Sequence, residues 1–283
     1  MRKIIHLSDL HFGRTDPAVL QPLLTAAKEI AADLTVVSGD LTQRARSRQF
    51  IEAREYLEKL PGPQLVVPGN HDVPLWNVAA RMLTPLTKYK RYITDDLSPM
   101  YVDDEIAVLG INTARSMVIK NGRINDEQID EVRQKMCKLS HKITKIIVTH
   151  HPFDLPEGHA DVDLVGRAKL AMEAFAKCGA DVLLAGHLHT SHAGNTAERY
   201  RIIGHSALVI QAGTATSIRG RGETNSFNLI RVEHTHIELE RWGWDPAVRR
   251  FVPNARDQFA TVEGHWVRSQ ARPTFSSSPP AQA

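Results

Sequence analysis

Lys3-Ile4-Ile5-His6-Leu7-Ser8-Asp9-Leu10-His11 decides the fold: a short, mostly apolar run, too brief for a helix, leads straight into a polar turn. Asp16-Pro17 follows as N-cap and first helical residue, and Leu20, Leu23, Leu24, Ala27, Ile30 and Ala31 recur at helical spacing to about Ala32. The unit then repeats. Leu34-Thr35-Val36-Val37 reads as a second strand running into Gly39-Asp40, a polar helix spans about 47–59, and Leu65-Val66-Val67 is a third strand ahead of Gly69-Asn70-His71-Asp72. The pattern is βαβαβ.

Further along, strands are expected at 106–111, 145–148 and 181–184, the last two preceded by helical stretches near 126–139 and 164–177. Alternation of this kind argues an α/β sheet. After Ala207 the texture changes to Leu208-Val209-Ile210, Phe227–Val232 and His236–Leu239, strands without helices between them. A second, more antiparallel sheet packed on the first is expected, which makes an α/β sandwich. One domain over 1–253 accounts for this periodicity. It fades in a tail, 254–283, whose Ser/Pro-rich end at 273–283 has little to bury and is expected to be disordered.

Composition leaves a soluble globular protein: 42% apolar residues in 283, enough for a full core. Basic residues number 35 against 32 acidic, and a net charge of +3 is too slight for a nucleic-acid footprint. Neither a signal peptide nor a run of ~20 apolar residues for a membrane span is present. Cys137 and Cys178 form no CxxC spacing, so neither a disulfide framework nor a thiolate metal site is expected, and a reducing cytoplasm fits. Oligomeric state leaves no signal.

Five blocks sit at or just past strand ends: Ser8-Asp9-Leu10-His11, Gly39-Asp40, Gly69-Asn70-His71-Asp72, Thr149-His150-His151 and Gly186-His187-Leu188-His189. In an open α/β sheet the loops beyond the carboxyl ends of the strands are where ligands bind, so distant blocks can converge. Carboxylate, amide oxygen and imidazole without thiolate suit hard to borderline divalent ions, and manganese, iron, zinc and magnesium are all compatible. So many ligands exceed what one small ion takes. A pair ~3.5–4 Å apart, with a bridging carboxylate, uses them all. Each block alone means little, since Asp and Gly end strands for turn reasons; their joint order carries the argument.

In that order the blocks read D-x-H, G-D, G-N-H-[DE], H and G-H-x-H, and on them the chain resembles the calcineurin-like metallophosphoesterase superfamily, over about 3–189. The resemblance implies a sandwich of two mixed sheets flanked by helices, in four αββα layers. It also implies that Asp9, His11 and His189 hold one ion, that Asn70, His150 and His187 hold the other, and that Asp40 bridges them. His71 is then the non-ligating histidine that meets the substrate. His151, the alternative to His150, lines the cleft or supports a ligand. Two cations would bring a shared water to hydroxide near neutral pH, for attack in line on phosphorus, while His71 hydrogen-bonds a phosphoryl oxygen or protonates the leaving group.

Relatives in the protein-phosphatase branch continue G-D-x-x-D, where the later Asp pairs with the catalytic histidine; Gln43 stands at that offset here. His71 must be oriented by Asp72 or another group, or act as a neutral donor. Arg44, with Arg46 and Arg48, could offer a guanidinium to phosphate or form a solvated face. Asn112 and Arg115 point at the cleft or close a turn. The segment 76–103, with Arg81, Lys88, Tyr89, Lys90, Arg91 and Tyr92, is a cap over the substrate or an ordinary amphipathic helix. Arg219 and Arg221 lie in a Gly-rich loop that approaches substrate or is a plain hairpin. His192, His205, His234, His236 and His265 fit no motif.

The blocks look most like bacterial class III cyclic-nucleotide phosphodiesterases. The resemblance therefore implies a metal-dependent phosphodiesterase acting on a small diester such as a cyclic nucleotide. Alternatives are a phosphomonoesterase or pyrophosphatase acting on a nucleotide or lipid-linked substrate, a DNA nuclease, and a non-catalytic metal-stabilised binding scaffold. The nuclease ranks low because the chain spends its length on the core.

Overall fold

The computed structural model describes residues 1–117, 121–156, 163–197, 199–219 and 222–269. Its first half holds β1 (Arg2–Leu7), α1 (Pro17–Ile30), β2 (Leu34–Ser38), α2 (Ser47–Leu57), β3 (Gln64–Val67), α3 (Val78–Leu83), α4 (Thr87–Tyr92), β4 (Met100–Val102), β5 (Ile106–Gly110) and α5 (Asp126–Met136). The second half holds β6 (Thr144–Val148), α6 (Ala168–Lys177), β7 (Val182–Ala185), β8 (His192–Asn195), β9 (Leu208–Gln211), β10 (Ser226–Glu233), β11 (His236–Asp245), β12 (Arg250–Val262) and β13 (His265–Arg268).

Two mixed sheets form, one ordered β13-β12-β11-β10-β1-β2-β3 and the other β4-β5-β6-β7-β9-β8. Their strands alternate in facing. Ile4, Leu34, Val36, Leu65 and Val67 of the first sheet meet Val108, Ile146, Val148, Val182 and Leu184 of the second in a core between the sheets. The intervening residues turn outward: Ile5, Leu7 and Val37 bury Leu23 and Leu24 of α1 and Phe50 of α2, while Ala107, Ile147 and Leu183 bury Ile129 of α5 and Phe175 of α6. A strand apolar on both faces must be covered on both, and the result is the expected αββα stack.

The local signals act as read. Asp16 Oδ1 accepts from Ala18 N at 2.9 Å to cap α1, and Asn125 and Gln128 cap α5 reciprocally, Oδ1 accepting from Gln128 N at 3.0 Å.

Other expectations are corrected. The sheets do not divide at Ala207: β9 lies parallel to β7 in the second sheet, while β10 returns antiparallel to β1 in the first. The Gly-rich connection between β9 and β10 therefore crosses from one sheet to the other and is not a hairpin. The boundary at 253 falls inside β12. The polar pattern that suggested a tail belongs to strands half open to solvent, and the first sheet continues to Arg268; 273–283 and Arg221 lie outside the described residues.

Within 76–103, Tyr89 is fully buried against Phe50, and its hydroxyl donates to Val66 O at 3.1 Å. Tyr92 stacks on Phe50, so α4 is core rather than a substrate platform. Cys137 and Cys178 form a disulfide that joins the C-terminal ends of α5 and α6. Packing of the two helices side by side, invisible in the spacing, brings the thiols together, and the cysteines cease to argue for a reducing compartment. Among the described residues no helix is long and apolar enough to cross a membrane.

Candidate metal centre

The five blocks meet where the two sheets present the same ends. Ser8-Asp9, Gly39-Asp40 and Gly69-Asn70 leave β1, β2 and β3 of the first sheet, and Thr149-His150 and Gly186-His187 leave β6 and β7 of the second. The backbone there is unusual. Asp9, His11, Asp40, His187 and His189 all take positive φ, between 49° and 72°, a region that non-glycine residues enter at a cost. Two glycines allow the close approach: a Cβ on Gly69 would stand 2.1 Å from Asp40 Oδ1, and one on Gly186 would stand 1.8 Å from Ser8 Oγ. That steric limit explains the Gly of G-N-H and of G-H-x-H.

Side chains of Asp9, His11 and His189 form one compact group, and Asp9, Asp40 and His150 another. Asp9 Oδ1 lies 3.4 Å from His11 Nε2 and 3.7 Å from His189 Nδ1, and Asp40 Oδ2 lies 3.6 Å from His11 Nε2. On the other side Asn70 Oδ1 is 3.2 Å from His150 Nε2 and 3.1 Å from His187 Nδ1, and His150 Nε2 is 3.4 Å from Asp40 Oδ1. Donor atoms sharing one ion at about 2.0–2.2 Å stand roughly 3.0–3.5 Å apart, so the 3.1–3.4 Å spacings fit a divalent cation and those of 3.6 and 3.7 Å lie just beyond.

Hydrogen bonding says the same. Asp9 Oδ2 accepts from Ser8 Oγ at 2.7 Å and His187 N at 3.1 Å, while Asp9 Oδ1 and both ring nitrogens of buried His11 have no hydrogen-bond partner. His150 Nδ1 donates to Ser38 O at 2.8 Å, which leaves its Nε2 for Asn70 and Asp40. A buried carboxylate oxygen and a buried imidazole left without hydrogen bonds are costly unless a cation sits between them. The residues present fit that group.

Electrostatics bear this out. Burial alone would raise the carboxyls, but His189, His11 and His150 around Asp9, and His150, His71 and His11 around Asp40, hold both below the usual carboxylate range. Burial lowers His187 to about 3, helped by His150. His150 runs the other way: burial disfavours its charge, yet Asp40, Asp9 and the Ser38 carbonyl carry it up to about 9.

His71 projects beside this group, its ring edge-on to His11 with centroids 4.9 Å apart. Its Nδ1 donates to Gln43 O at 2.9 Å, with Gln43 Nε2 at 3.5 Å, so a backbone carbonyl supplies the orientation that a carboxylate supplies elsewhere. Asp72 is not that partner. Its oxygens accept from Leu41 N, Thr42 N, Thr42 Oγ1 and Gly69 N at 2.9–3.1 Å, and so lock the loops after β2 and β3 together.

The remaining candidates divide. His151 Nδ1 is 2.7 Å from Thr113 Oγ1, and its ring lies beside His150 and His187, with which it forms a third compact group. Asn112 Oδ1 accepts from Ala114 N at 2.9 Å, the turn alternative, and Arg115 donates to the carbonyls of Asn112 and Ala114. Arg44 is exposed, with its guanidinium 5.9 Å over the Trp76 ring. Ser38 O, and Thr214 Oγ1 at 2.7 Å from His189 Nδ1, had no motif to announce them; Arg219, whose Nη1 is 3.0 Å from His71 Nε2, had only its Gly-rich loop.

Residues 2–191 match the family model for calcineurin-like phosphoesterase. The chain is 23% identical to a probable cyclic nucleotide phosphodiesterase of Synechococcus over 53% of this chain and 57% of that one, and 24% identical to a probable glycerophosphodiester phosphodiesterase GpdQ of Arcobacter nitrofigilis over 56% of each. The matched region thus spans little more than half the length of these relatives. With the 3',5'-cyclic adenosine monophosphate phosphodiesterase CpdA of Escherichia coli K12 it shares 23% identity over 66% of this chain and 69% of that one. Among solved structures, a dimetal phosphatase from Danio rerio superposes with a TM-score of 0.67 at 11% identity, covering 90% of this chain and 98% of that one. A purple acid phosphatase from yellow lupin reaches 0.64 at 11%, covering 89% and 52%, and both likenesses show the fold alone. The family match, covering well over half the chain and all five blocks, places this protein in the calcineurin-like phosphoesterase family.

Proposed function

We propose that the chain hydrolyses a small phosphodiester at a pair of divalent ions, with a cyclic nucleotide as the first candidate. The observation that carries this is the cluster around Asp9, Asp40 and Asn70, in which carboxylate, amide and imidazole atoms stand 3.1–3.7 Å apart and buried His11 has no hydrogen-bond partner. Asp9, His11 and His189 would hold one ion, Asn70, His150 and His187 the other, and Asp40 both. His150 is favoured over His151 because its Nε2 faces both Asn70 Oδ1 and Asp40 Oδ1, at 3.2 and 3.4 Å. Such ions, when bound, acidify a water to near neutrality and neutralise phosphoryl oxygens; manganese, iron, zinc and magnesium all suit the ligands.

The chain's own residues supply position. His71, aimed by Gln43 O, stands edge-on to His11 beside the proposed ion sites. Relatives named for cyclic-nucleotide and glycerophosphodiester hydrolysis support a diester over a monoester.

Metal-stripped protein reloaded with manganese tests this, with bis(p-nitrophenyl) phosphate beside p-nitrophenyl phosphate. Faster diester turnover, abolished in Asn70→Ala and Asp40→Asn with the fold intact, is expected. Preference for the monoester would move the reading to a phosphatase, and silence on both with metal bound would leave a binding scaffold.

A further inference from the structure

Arg219 belongs to the connection that crosses from β9 in one sheet to β10 in the other, and the loop is fastened before Arg219 leaves it. Ala215 N donates to Ser8 O at 3.0 Å, Thr216 Oγ1 to Leu10 O at 2.7 Å, and Ile218 N to Arg14 O at 3.2 Å. Ser217 Oγ donates to Arg14 O at 3.1 Å and accepts from Arg219 N at 3.2 Å, and Asn225 Nδ2 donates to Ser217 O at 2.9 Å. The segment that carries Asp9 and His11 therefore also sets where Arg219 starts. From there its half-buried side chain reaches across to His71, Nη1 to Nε2 at 3.0 Å.

That contact fixes who donates. A guanidinium has five N–H groups and no acceptor, and it keeps its proton in proteins, so His71 Nε2 must accept. Nδ1 of the same ring donates to Gln43 O. In this arrangement neither ring nitrogen of His71 has a proton to offer the substrate, while Arg219 has four N–H groups to spare. Among the described residues no carboxylate pairs with Arg219; Asp9 and Asp40 attract it from a distance, and Arg14 and Arg44 repel it. Two divalent ions would outweigh those carboxylates and leave the guanidinium facing net positive charge. An anion between guanidinium and ions satisfies both.

Resting on the reading above, we propose that Arg219 is a catalytic residue: it donates to a phosphoryl oxygen of the bound ester, with His71 as the acceptor that aims it rather than the proton donor to the leaving group. The gain falls where charge builds on phosphorus, and a fork of N–H groups matches two phosphoryl oxygens.

The test uses the full chain loaded with manganese, and inorganic phosphate as a binding probe beside the chromogenic diester. Arg219→Met is expected to keep the melting temperature, lower diester kcat/KM about 100-fold, and weaken phosphate at least ~10-fold, with Arg219→Lys in between and guanidinium salts restoring part of the loss in Arg219→Ala. The deciding step repeats Arg219→Met in a His71→Ala background. A further ~10-fold loss of phosphate affinity there confirms direct contact; no further loss makes Arg219 a positioning residue acting through His71 and overturns the proposal. Unchanged phosphate affinity in the single variant, or no phosphate binding by the loaded wild type, also overturns it. Phosphate affinity that depends on Arg219 in a protein that turns over no ester would leave Arg219 standing and sink the diesterase reading instead.

Discussion

Raising the pH of the metal-stripped protein from 6.5 to 8.5 should tighten its hold on the ion proposed at Asn70, His150 and His187 about 100-fold. The magnitude follows from one proton. His150 is carried up to about 9, while burial pushes His187 down to about 3 and lowers His189. Near neutral pH, then, a proton on His150 Nε2, facing Asn70 Oδ1 at 3.2 Å and Asp40 Oδ1 at 3.4 Å, occupies the direction a cation needs. Binding must expel it, and a single expelled proton makes affinity rise about tenfold per pH unit, or about 1.4 kcal/mol, until the pH reaches that of His150. The sign for folding is opposite. A histidine raised above its ordinary 6.5 stabilises the folded apo-protein fully below 6.5 and loses that contribution as pH climbs through about 9. Manganese titration calorimetry in buffers of different ionisation enthalpy reads both the affinity and the protons released, with close to one expected at pH 7. No proton release, with affinity flat between 6.5 and 8.5, would refute the assignment of His150 as the displaced acid.

Gly186→Ala should cost the protein at least one ion per chain by elemental analysis, because the new Cβ would lie 1.8 Å from Ser8 Oγ and 2.8 Å from Asp9 Oδ2. Retention of both ions would show that the loop yields more easily than its contacts suggest. Reducing the Cys137–Cys178 bond, which closes a sequence separation of 41, should lower unfolding free energy by up to about 4 kcal/mol by loop entropy and leave metal stoichiometry untouched; equal denaturation curves with and without reductant would contradict it. Tyr89→Phe should cost about 1 kcal/mol through the lost bond to Val66 O, with diester KM unchanged, and a raised KM would return α4 to the role of a substrate cap. Leu184→Ala and Leu23→Ala should each cost roughly 2–5 kcal/mol, yet only the first, between the sheets and two residues before Gly186, should weaken metal binding. Equal metal affinity in the two variants would count against coupling between the inter-sheet core and the ligands.

Sequence reading succeeded where one physical rule acts locally. The apolar runs at Ile4, Leu34 and Leu65 became strands because each is buried on both faces, and Asp16-Pro17 started α1 because cap and ring act within a turn. The convergence of the five blocks was legible because each follows a strand and carries carboxylate, amide or imidazole groups. Non-local partnership was not legible. Nothing around Cys137 shows that α5 lies along α6, and nothing around Leu208 shows that β9 joins β7 rather than β10. Tyr89 and Tyr92, interleaved with charges, fitted a substrate cap or an ordinary amphipathic helix alike, and only the fold shows α4 turning both rings onto Phe50. For His71 the absence of a carboxylate at position 43 was visible, but a carbonyl oxygen belongs to every residue, so only the fold could show that the one of Gln43 stands in for it.

The same division explains why the centre depends on both halves of the sandwich. Asp9, His11, Asp40 and Asn70 ride on the first sheet, His150, His187 and His189 on the second, and the contacts that set their spacing run between sheets: Ser38 O to His150 Nδ1 at 2.8 Å, Asp9 Oδ2 to His187 N at 3.1 Å, Asn70 Oδ1 to His187 Nδ1 at 3.1 Å. Neither sheet alone holds either of the proposed ligand sets, since the first lacks His189 and His187 and the second lacks Asp9 and Asp40. Five residues there keep positive φ, and Asp9 Oδ1 and both nitrogens of His11 stay unpartnered, costs that packing between the sheets must sustain until a cation offsets them. Arg219 extends the logic, because its loop leaves the second sheet and is tied to the segment that carries Asp9 and His11 in the first. Packing that closes the sandwich therefore brings the candidate ligands and the arginine into register together, and on the proposed reading a phosphate ester held between them would be gripped from both sheets at once.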